Sequence, residues 1–431
     1  MYAIVDCDNC FVSCERVFQP DLNGRPVVVL SNNDGCVVAR SNEAKALGIK
    51  MGVPIYQIMP LVKEKGVEIR SSNYILYADM SNRVMSILRD SAPSMEIYSI
   101  DEAFLDISRM YSIDYKAYGE GLVKKVGQWT GMPVSIGIAP TKTLGKAAIW
   151  FAKHYKGYNK VCVIDTEEKR VAALKLLDIS EVWGVGYRSV NTYRGYGIKT
   201  AFDFTQKSAS WVRSHFGLPA LKTWKELQGI ACINTLEQKR KQSICTSRSF
   251  DGMVEDLKQL EMFISNFAAH CANKLRREHS VASIVTVFAQ TNHFREDLKQ
   301  YDGGFSATLT TPANSTFEIT NIALRILRLI YKEGYKYKRA GVIVSGTMSE
   351  NAVQQDLFDQ FTPEQRAKYN RLSRLIDVVN YSMGPDTIQL GVSQFPKNPE
   401  TGQSSNYKDL IKHDYRSRCY STNINDIIEV H

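Results

Sequence analysis

Apolar residues recur at Leu257, Leu260, Ile264, Phe267, Cys271 and Leu275, in steps of three and four that draw one apolar stripe along a helix. Such a stripe has to be covered, and strand-like runs flank it on both sides. From 244 onward the elements read strand Ile244 to Phe250, helix Leu257 to Leu275, strand Ser283 to Ala289, strand Phe305 to Leu309, helix Phe317 to Tyr331 and strand Ala340 to Gly346. This β-α-β-β-α-β order over 244–347 predicts a ferredoxin-like split unit, with its helices packed on a sheet.

A chain of 431 residues outgrows one hydrophobic core, so several domains are expected. Residues 1–165 read as mixed α/β, with strand-like runs at Ala3 to Val5, Val27 to Leu30, Met95 to Ile100 and Val134 to Ile138 alternating with helical segments. Residues 166–235 turn helical, broken by Gly184-Val185-Gly186 and Gly195-Tyr196-Gly197. A polar stretch over 236–243, with Lys239, Arg240 and Lys241, reads as a linker. From 348 to 431 one further helix is expected, opened by a capping box of Thr362 and Gln365 around Pro363 and closed by Gly384-Pro385. Beyond Gln394 the chain is polar and aperiodic until Ile427 and Ile428, which predicts a mobile end unless a partner holds it.

Lys and Arg outnumber Asp and Glu by 54 to 45, and the +9 balance suits a polyanionic partner, although many basic enzymes bind no nucleic acid. Nine cysteines without a signal-like start point to reduced thiols in the cytoplasm. Cys7, Cys10 and Cys14 are followed by no second Cys or His pair at finger spacing, which argues against zinc. No apolar run reaches the roughly eighteen residues of a membrane helix, and the mean hydropathy of -0.25 agrees.

The chemistry-bearing residues are acidic. Asp6 ends the first strand-like run, and Asp101 and Glu102 lie between two others. Carboxylates gathered at strand ends can hold two divalent ions, the arrangement that nucleotidyl transfer requires. Side chains alternate along a strand, so Asp101 and Glu102 share a site only if the backbone turns or bulges there. The same pair also fits a polar hairpin turn, with Asp6 an exposed strand end.

Three segments in order decide between these readings: Asp6-Cys-Asp-Asn-Cys-Phe11, Tyr98-Ser-Ile-Asp-Glu-Ala-Phe-Leu-Asp106 and Ser135-Ile-Gly-Ile-Ala-Pro-Thr-Lys142. Together they resemble the palm motifs of Y-family DNA polymerases. The resemblance implies a right-hand polymerase: a ferredoxin-like α/β palm over 1–165 with small fingers inserted at about 20–75, a helix-hairpin-helix thumb over 166–235, and a little finger over 244–347. It implies that Asp6, Asp101 and Glu102, with the Cys7 carbonyl, hold two magnesium ions; the family pattern does not clearly make Asp8 a ligand. Phe11 stands where the family places the aromatic ring that blocks a ribose 2′-hydroxyl. Lys45 and Lys153 match triphosphate-contacting positions, and Asn42 replaces a family tyrosine. Gly184 and Gly186 match a phosphate-gripping turn, where glycine admits the backbone and a helix N-terminus offers free amides. Arg248, Lys336, Lys338 and Arg339 are candidate phosphate contacts on strands.

Gln354-Gln-Asp356-Leu357-Phe358 looks like a bacterial sliding-clamp-binding pentapeptide. The extra length beyond it, from Tyr415-Arg-Ser-Arg to Val430, resembles the UmuC branch of the family rather than a DinB-type polymerase. That branch implies primer-template DNA and deoxynucleoside triphosphates as substrates, processed UmuD and RecA filaments as partners, and error-prone translesion synthesis in the SOS response. A noncatalytic DNA-damage scaffold predicts missing metal carboxylates, and a two-metal nuclease gives Phe11 no role.

Overall fold

The computed structural model describes residues 1–234, 240–353, 359, 361–384, 386–393, 412–418 and 420. The chain divides into two compact units, Met1–Gln238 with His413–His431, and Lys239–Lys412.

In the first unit β1 (Tyr2–Cys7) leads into α1 (Cys10–Phe18), then β2 (Val27–Leu30), β3 (Val37–Arg40), α2 (Asn42–Ala46), α3 (Ile55–Lys65) and β4 (Glu68–Ser71). After these come α4 (Tyr74–Arg89), β5 (Ser94–Ile97), β6 (Glu102–Asp106), α5 (Tyr115–Thr130), β7 (Val134–Ala139), α6 (Lys142–His154) and β8 (Val161–Val163). Four helices follow: α7 (Glu167–Leu176), α8 (Tyr187–Gly195), α9 (Ala201–Thr205) and α10 (Ala209–Leu227).

The main sheet has the order β5-β6-β1-β7-β8. Strand β1 is central and antiparallel to both neighbours, with Asp6 opposite Glu102 on one side and Ser135 on the other. Ala3, Ile4, Val5 and Cys7 are buried and Tyr2 and Asp6 half-buried, as expected for a strand reading Ala3-Ile-Val5 with paired edges. A smaller sheet, β3-β2-β4, has its own core around Val28, Leu30, Val37 and Ile69.

Helix α6 lies unusually close to the main sheet because glycines meet there. A Cβ at Gly137 would overlap the Gly145 carbonyl oxygen and come within 2.5 Å of the Ile149 amide nitrogen, and one at Gly145 would overlap Ile4. Both neighbours of Gly137 are backbone, which cannot swing aside. Gly137→Ala is therefore expected to destabilise the fold by about 1–3 kcal/mol, the range for overpacking a dense core, read as a lower denaturant midpoint.

The second unit holds β9 (Ser243–Val254), α11 (Leu257–Arg277), β10 (Ser280–Thr291), β11 (Asp302–Ala313), α12 (Thr316–Ile330) and β12 (Tyr337–Ser349), then α13 (Pro363–Ser382). The β-α-β-β-α-β succession is the one expected, and Leu260, Ile264, Phe267, Cys271 and Leu275 of α11 are fully buried. The strand order is not that of the first unit. It runs β11-β10-β12-β9, all antiparallel, with the first strand at an edge instead of at the centre. Helix α13 opens with the predicted capping box, Thr362 Oγ1 accepting from the Gln365 amide and Gln365 Oε1 from the Thr362 amide.

Two expectations need correction. The run from Met95 to Ile100 is a strand only to Ile97, because the amides of Tyr98 and Ser99 both turn back to the Glu102 carbonyl and close a hairpin. The C-terminal stretch is not free throughout: residues 413–418 and Tyr420 pack with the first unit. The expected clamp pentapeptide, with Gln354, Asp356, Leu357 and Phe358, lies outside the described residues, as does most of the 236–243 linker. Among the described residues no helix is long and apolar enough to cross a membrane.

Candidate active site

The hairpin between β5 and β6 supplies the turn that two adjacent acids need. Asp101 sits in the bend and Glu102 begins the strand, so alternation along β6 does not separate them. The bend is fastened to β1 by the Cys7 amide, which donates to the Asp101 carbonyl at 2.8 Å. It is fastened internally by Ser99, whose hydroxyl donates to Asp101 Oδ1. The hairpin reading and the acidic-site reading are thus one structure, not alternatives.

Asp6 and Glu102 face each other across the β1–β6 pair. Burial pushes the carboxyls of both above the ordinary range against their opposing lysines, and nearby acids push the same way: Asp101 and Asp8 on Asp6, and Asp6 and Asp101 on Glu102. Lys153 Nζ lies 2.5 Å from Asp6 Oδ1, and Lys146 pairs with Glu102 Oε2. Burial acts to lower the Lys153 pKa, but the charges of Asp6, Asp8 and Asp101 raise it overall. Asp8 is otherwise engaged: it accepts from Ser135 Oγ at 2.8 and 3.0 Å and from Lys160 at 2.8 Å.

A second group of cations stands nearby. Asn9, in a left-handed conformation at φ 49°, stands just before α1 and accepts from Lys45 Nζ at 2.6 Å, while its own side-chain amide donates to Asn42 Oδ1 at 3.1 Å. Burial lowers the Lys45 pKa, and the neighbouring charges of Arg40 and Lys153 lower it further. The structure therefore brings Asn42, Lys45 and Lys153 towards the acids. Phe11, half-buried at the start of α1, lies flat on Tyr77 with ring centroids 4.4 Å apart.

The other expected contacts are distributed differently. Gly184 has φ +96°, and a Cβ there would come within 2.7 Å of Thr223 Oγ1, so close packing on α10 demands glycine. Gly186 stands at the open N-terminus of α8 with free space around it. In the second unit the Lys338 ammonium is taken up by the carbonyls of Phe250, Asp251 and Gly252. Arg248 pairs with Ala340, a core residue, and so turns to the core side rather than to the open face. Arg339 donates to Ser247 Oγ beside the Phe288 ring, and Lys336 pairs with Glu255.

Sequence reasoning missed Lys146, Arg40, Asn9 and the tyrosines beneath Phe11. The lysines left a signal: positions 142, 146 and 153 lie four and then seven apart, one stripe of a helix. That stripe follows directly on the third motif.

The fold is that of Y-family DNA polymerases. A Y-family polymerase chimera of Dbh and Dpo4 superposes with a TM-score of 0.64 at 23% identity, covering 81% of this chain and 100% of that one. Residues 5–149 match the model of the impB/mucB/samB family, and residues 241–357 match that family's C-terminal domain. Residues 370–430 match a domain of unknown function (DUF4113). Protein ImpB of Salmonella typhimurium is 37% identical over 99% of both chains, and Protein UmuC of Salmonella typhimurium is 37% identical over 100% of both. DNA polymerase IV of Desulfatibacillum aliphaticivorans is 25% identical over 89% of this chain and 94% of that one. The chain belongs to the impB/mucB/samB family.

Whether the acids suit a metal can be judged from their surroundings. Among the described residues no three ligating side chains converge as they stand, since Asp6 and Glu102 are each ion-paired to a lysine. The donor set is nevertheless all oxygen, Asp6 and Asp101 are half-buried and Glu102 is buried, and Glu102 Oε1 has no hydrogen-bond partner among the described residues. These are the properties of a seat for a hard divalent cation.

Without an ion, the raised carboxyl pKa values favour the folded state at acid pH and oppose it as pH rises through them. Magnesium is expected to reverse that trend. At about 100 times its dissociation constant it adds about 2.7 kcal/mol, read as a higher melting midpoint that grows with pH and disappears in Asp6→Asn.

Proposed function

We propose that this chain is a template-directed DNA polymerase that carries out error-prone synthesis past damaged bases. The observation that carries this reading is the pairing of Asp6 with Glu102 across β1 and β6, beside Asp101 in the hairpin bend, next to the cations Lys45 and Lys153 and the aromatic plate of Phe11. A site that joins a primer to a nucleotide needs all three: anions for metal, cations for a triphosphate, and a surface for a sugar.

In the reaction the primer 3′ oxygen forms a bond to the α-phosphorus of the incoming nucleotide. The bond to pyrophosphate breaks, and the hydroxyl proton passes to solvent. Asp6, Asp101, Glu102 and the Cys7 carbonyl would hold two magnesium ions, which when bound would supply Lewis-acid stabilisation of the developing charge. Lys153 alternates between the carboxylates and the triphosphate, and Lys45, steered by Asn9 and Asn42, offsets phosphate charge. Phe11 lies under the deoxyribose, where the 2′-hydroxyl of a ribonucleotide would collide with the ring. Gly186 at the α8 N-terminus meets backbone phosphate, as does Arg339 on the second sheet.

We assign the sliding clamp to the Gln354–Phe358 peptide. Likeness to Protein UmuC supports a processed UmuD dimer as a further partner, and we extend the reading to a RecA filament, work in the cytoplasm and a part in the SOS response to DNA damage.

Primer extension on undamaged and lesion-containing templates, with magnesium and deoxynucleotides, tests the reading. The purified chain, with and without accessory proteins, is expected to extend both, and Asp101→Ala to abolish extension while leaving primer-template binding within about twofold. Tight binding with no extension by the wild-type chain under any condition would instead identify a noncatalytic scaffold.

A further inference from the structure

Phe11 is held by a chain of contacts that ends in the C-terminal tail. Its ring stacks on Tyr77 at an interplanar angle of 13°, and Tyr74 meets its edge at 5.8 Å. Both tyrosines belong to the first turns of α4, which Asn73 caps by accepting from the Leu76 amide. The Tyr77 hydroxyl donates to Glu15 Oε1 at 2.7 Å, and Glu15, fully buried, stands one turn beyond Phe11 on α1. The orientation of the plate therefore depends on two polar groups, Glu15 and Asn73.

Ser417 engages both of them. Its hydroxyl donates to Glu15 Oε1 at 3.2 Å and accepts from Asn73 Nδ2 at 3.0 Å. The neighbouring residues seat it. Tyr415 exchanges two hydrogen bonds with Ser71 at the end of β4, its amide donating to Oγ and its carbonyl accepting from the Ser71 amide. The Asp414 amide donates to Asp34 Oδ2 at 2.9 Å. Tyr420 stacks on Phe18 of α1 at 4.7 Å, and its hydroxyl accepts from Gln19 Nε2 at 2.8 Å. The tail thus grips α1 at Glu15 and Phe18, the residue that follows it at Gln19, and the start of α4 at Asn73. A buried carboxylate holds its position through the donors it receives, and among the described residues Ser417 is one of the two hydroxyls donating to Glu15 Oε1.

We propose that residues 414–418 and Tyr420, which lie within the domain of unknown function, are a positioning element for Phe11, and that Ser417 sets sugar discrimination through Glu15 and Asn73. The inference rests on reading Phe11 as the ring beneath the nucleotide sugar. Without the Ser417 hydroxyl, Glu15 and the α4 cap lose a shared tether. The Tyr77–Phe11 stack then rocks, and a ribonucleotide enters more readily.

The test is single-nucleotide incorporation by the full chain on an undamaged primer-template, with kcat and KM measured separately for a deoxynucleotide and the matching ribonucleotide. Ser417→Ala is expected to lower the ratio of the two kcat/KM values by roughly tenfold, the size of one hydrogen bond to a charged group. The loss is expected to come from improved ribonucleotide use, with deoxynucleotide kcat held within about twofold. Ser417→Thr, which keeps the hydroxyl, is expected to retain the wild-type ratio, which a merely structural defect would not do. Should Ser417→Ala fail to fold, Tyr420→Leu, which removes the Phe18 stack and the Gln19 bond, carries the same comparison. Phe11→Ala separates the two levels of the argument. If it lowers the ratio while Ser417→Ala and Tyr420→Leu leave it unchanged, the tail inference is overturned and the plate stands. If Phe11→Ala also leaves the ratio unchanged, both fall.

Discussion

One face of helix α6 carries Lys142, Lys146 and Lys153, and each pairs with an acid on a different strand beneath it: Glu96 on β5, Glu102 on β6 and Asp6 on β1. The register places those acids on a common side of the sheet, because Glu96 lies opposite Phe104, Phe104 opposite Ile4, and Ile4 opposite Gly137. Three long side chains reach three acids only if the helix lies low. The missing side chains of Gly137 and Gly145 allow it, with Ile4 and Ile149 filling the remaining space. The packing of one helix on one sheet thus sets the electrostatics of the site.

The three pairs are not equivalent. Lys142 and Glu96 are both nearly inaccessible, at 5% and 11% side-chain exposure, whereas Lys153 and Asp6 retain 31% and 21%. The first is a permanent part of the core, where breaking the pair would strand a buried charge. The pair at the other end of the stripe is open enough to exchange partners. Lys146 is intermediate, lying over the rings of Tyr98 and Trp183, and Trp183 in turn donates to the Tyr98 hydroxyl in the hairpin that carries Asp101. A gradient from fixed to exchangeable along one helix anchors the acids at one end and leaves them available to metal and nucleotide at the other.

Elements with a local cause were legible in the sequence. The α11 stripe, the Thr362 capping box and the bounds of β2 follow from side-chain period and cap chemistry within a few residues. The acids were legible because three ordered motifs named them. What was not legible depends on partners remote in sequence. Nothing local in β9 says that it pairs with β12 at a sheet edge while its counterpart β1 takes the centre of its own sheet. Lys338 read as a candidate phosphate contact, and nothing local shows that a register shift between Tyr337 and Arg339 brings three carbonyls of β9 to it. Ser417 sits in a polar stretch without periodicity, and its partners lie about 340 and 400 residues upstream.

Distance in sequence also explains how the tail can act on Phe11 at all. Helix α1 belongs to the core through Val12 and Cys14, but Phe11 at its start is half-buried and leans on α4, a separate helix, rather than on the sheet. A ring positioned by a second helix inherits that helix's freedom. An aromatic stack is worth about 0.5–1.5 kcal/mol beyond burial, too little to fix the ring against a crowding substrate. Fixing it requires that α1 and α4 be tied to each other by something stiffer, and the buried carboxylate of Glu15 does this from α1 by accepting the Tyr77 hydroxyl. Glu15 Oε2 has no hydrogen-bond partner among the described residues, so the carboxylate has no surplus of donors, and each one it does have bears on where the plate lies.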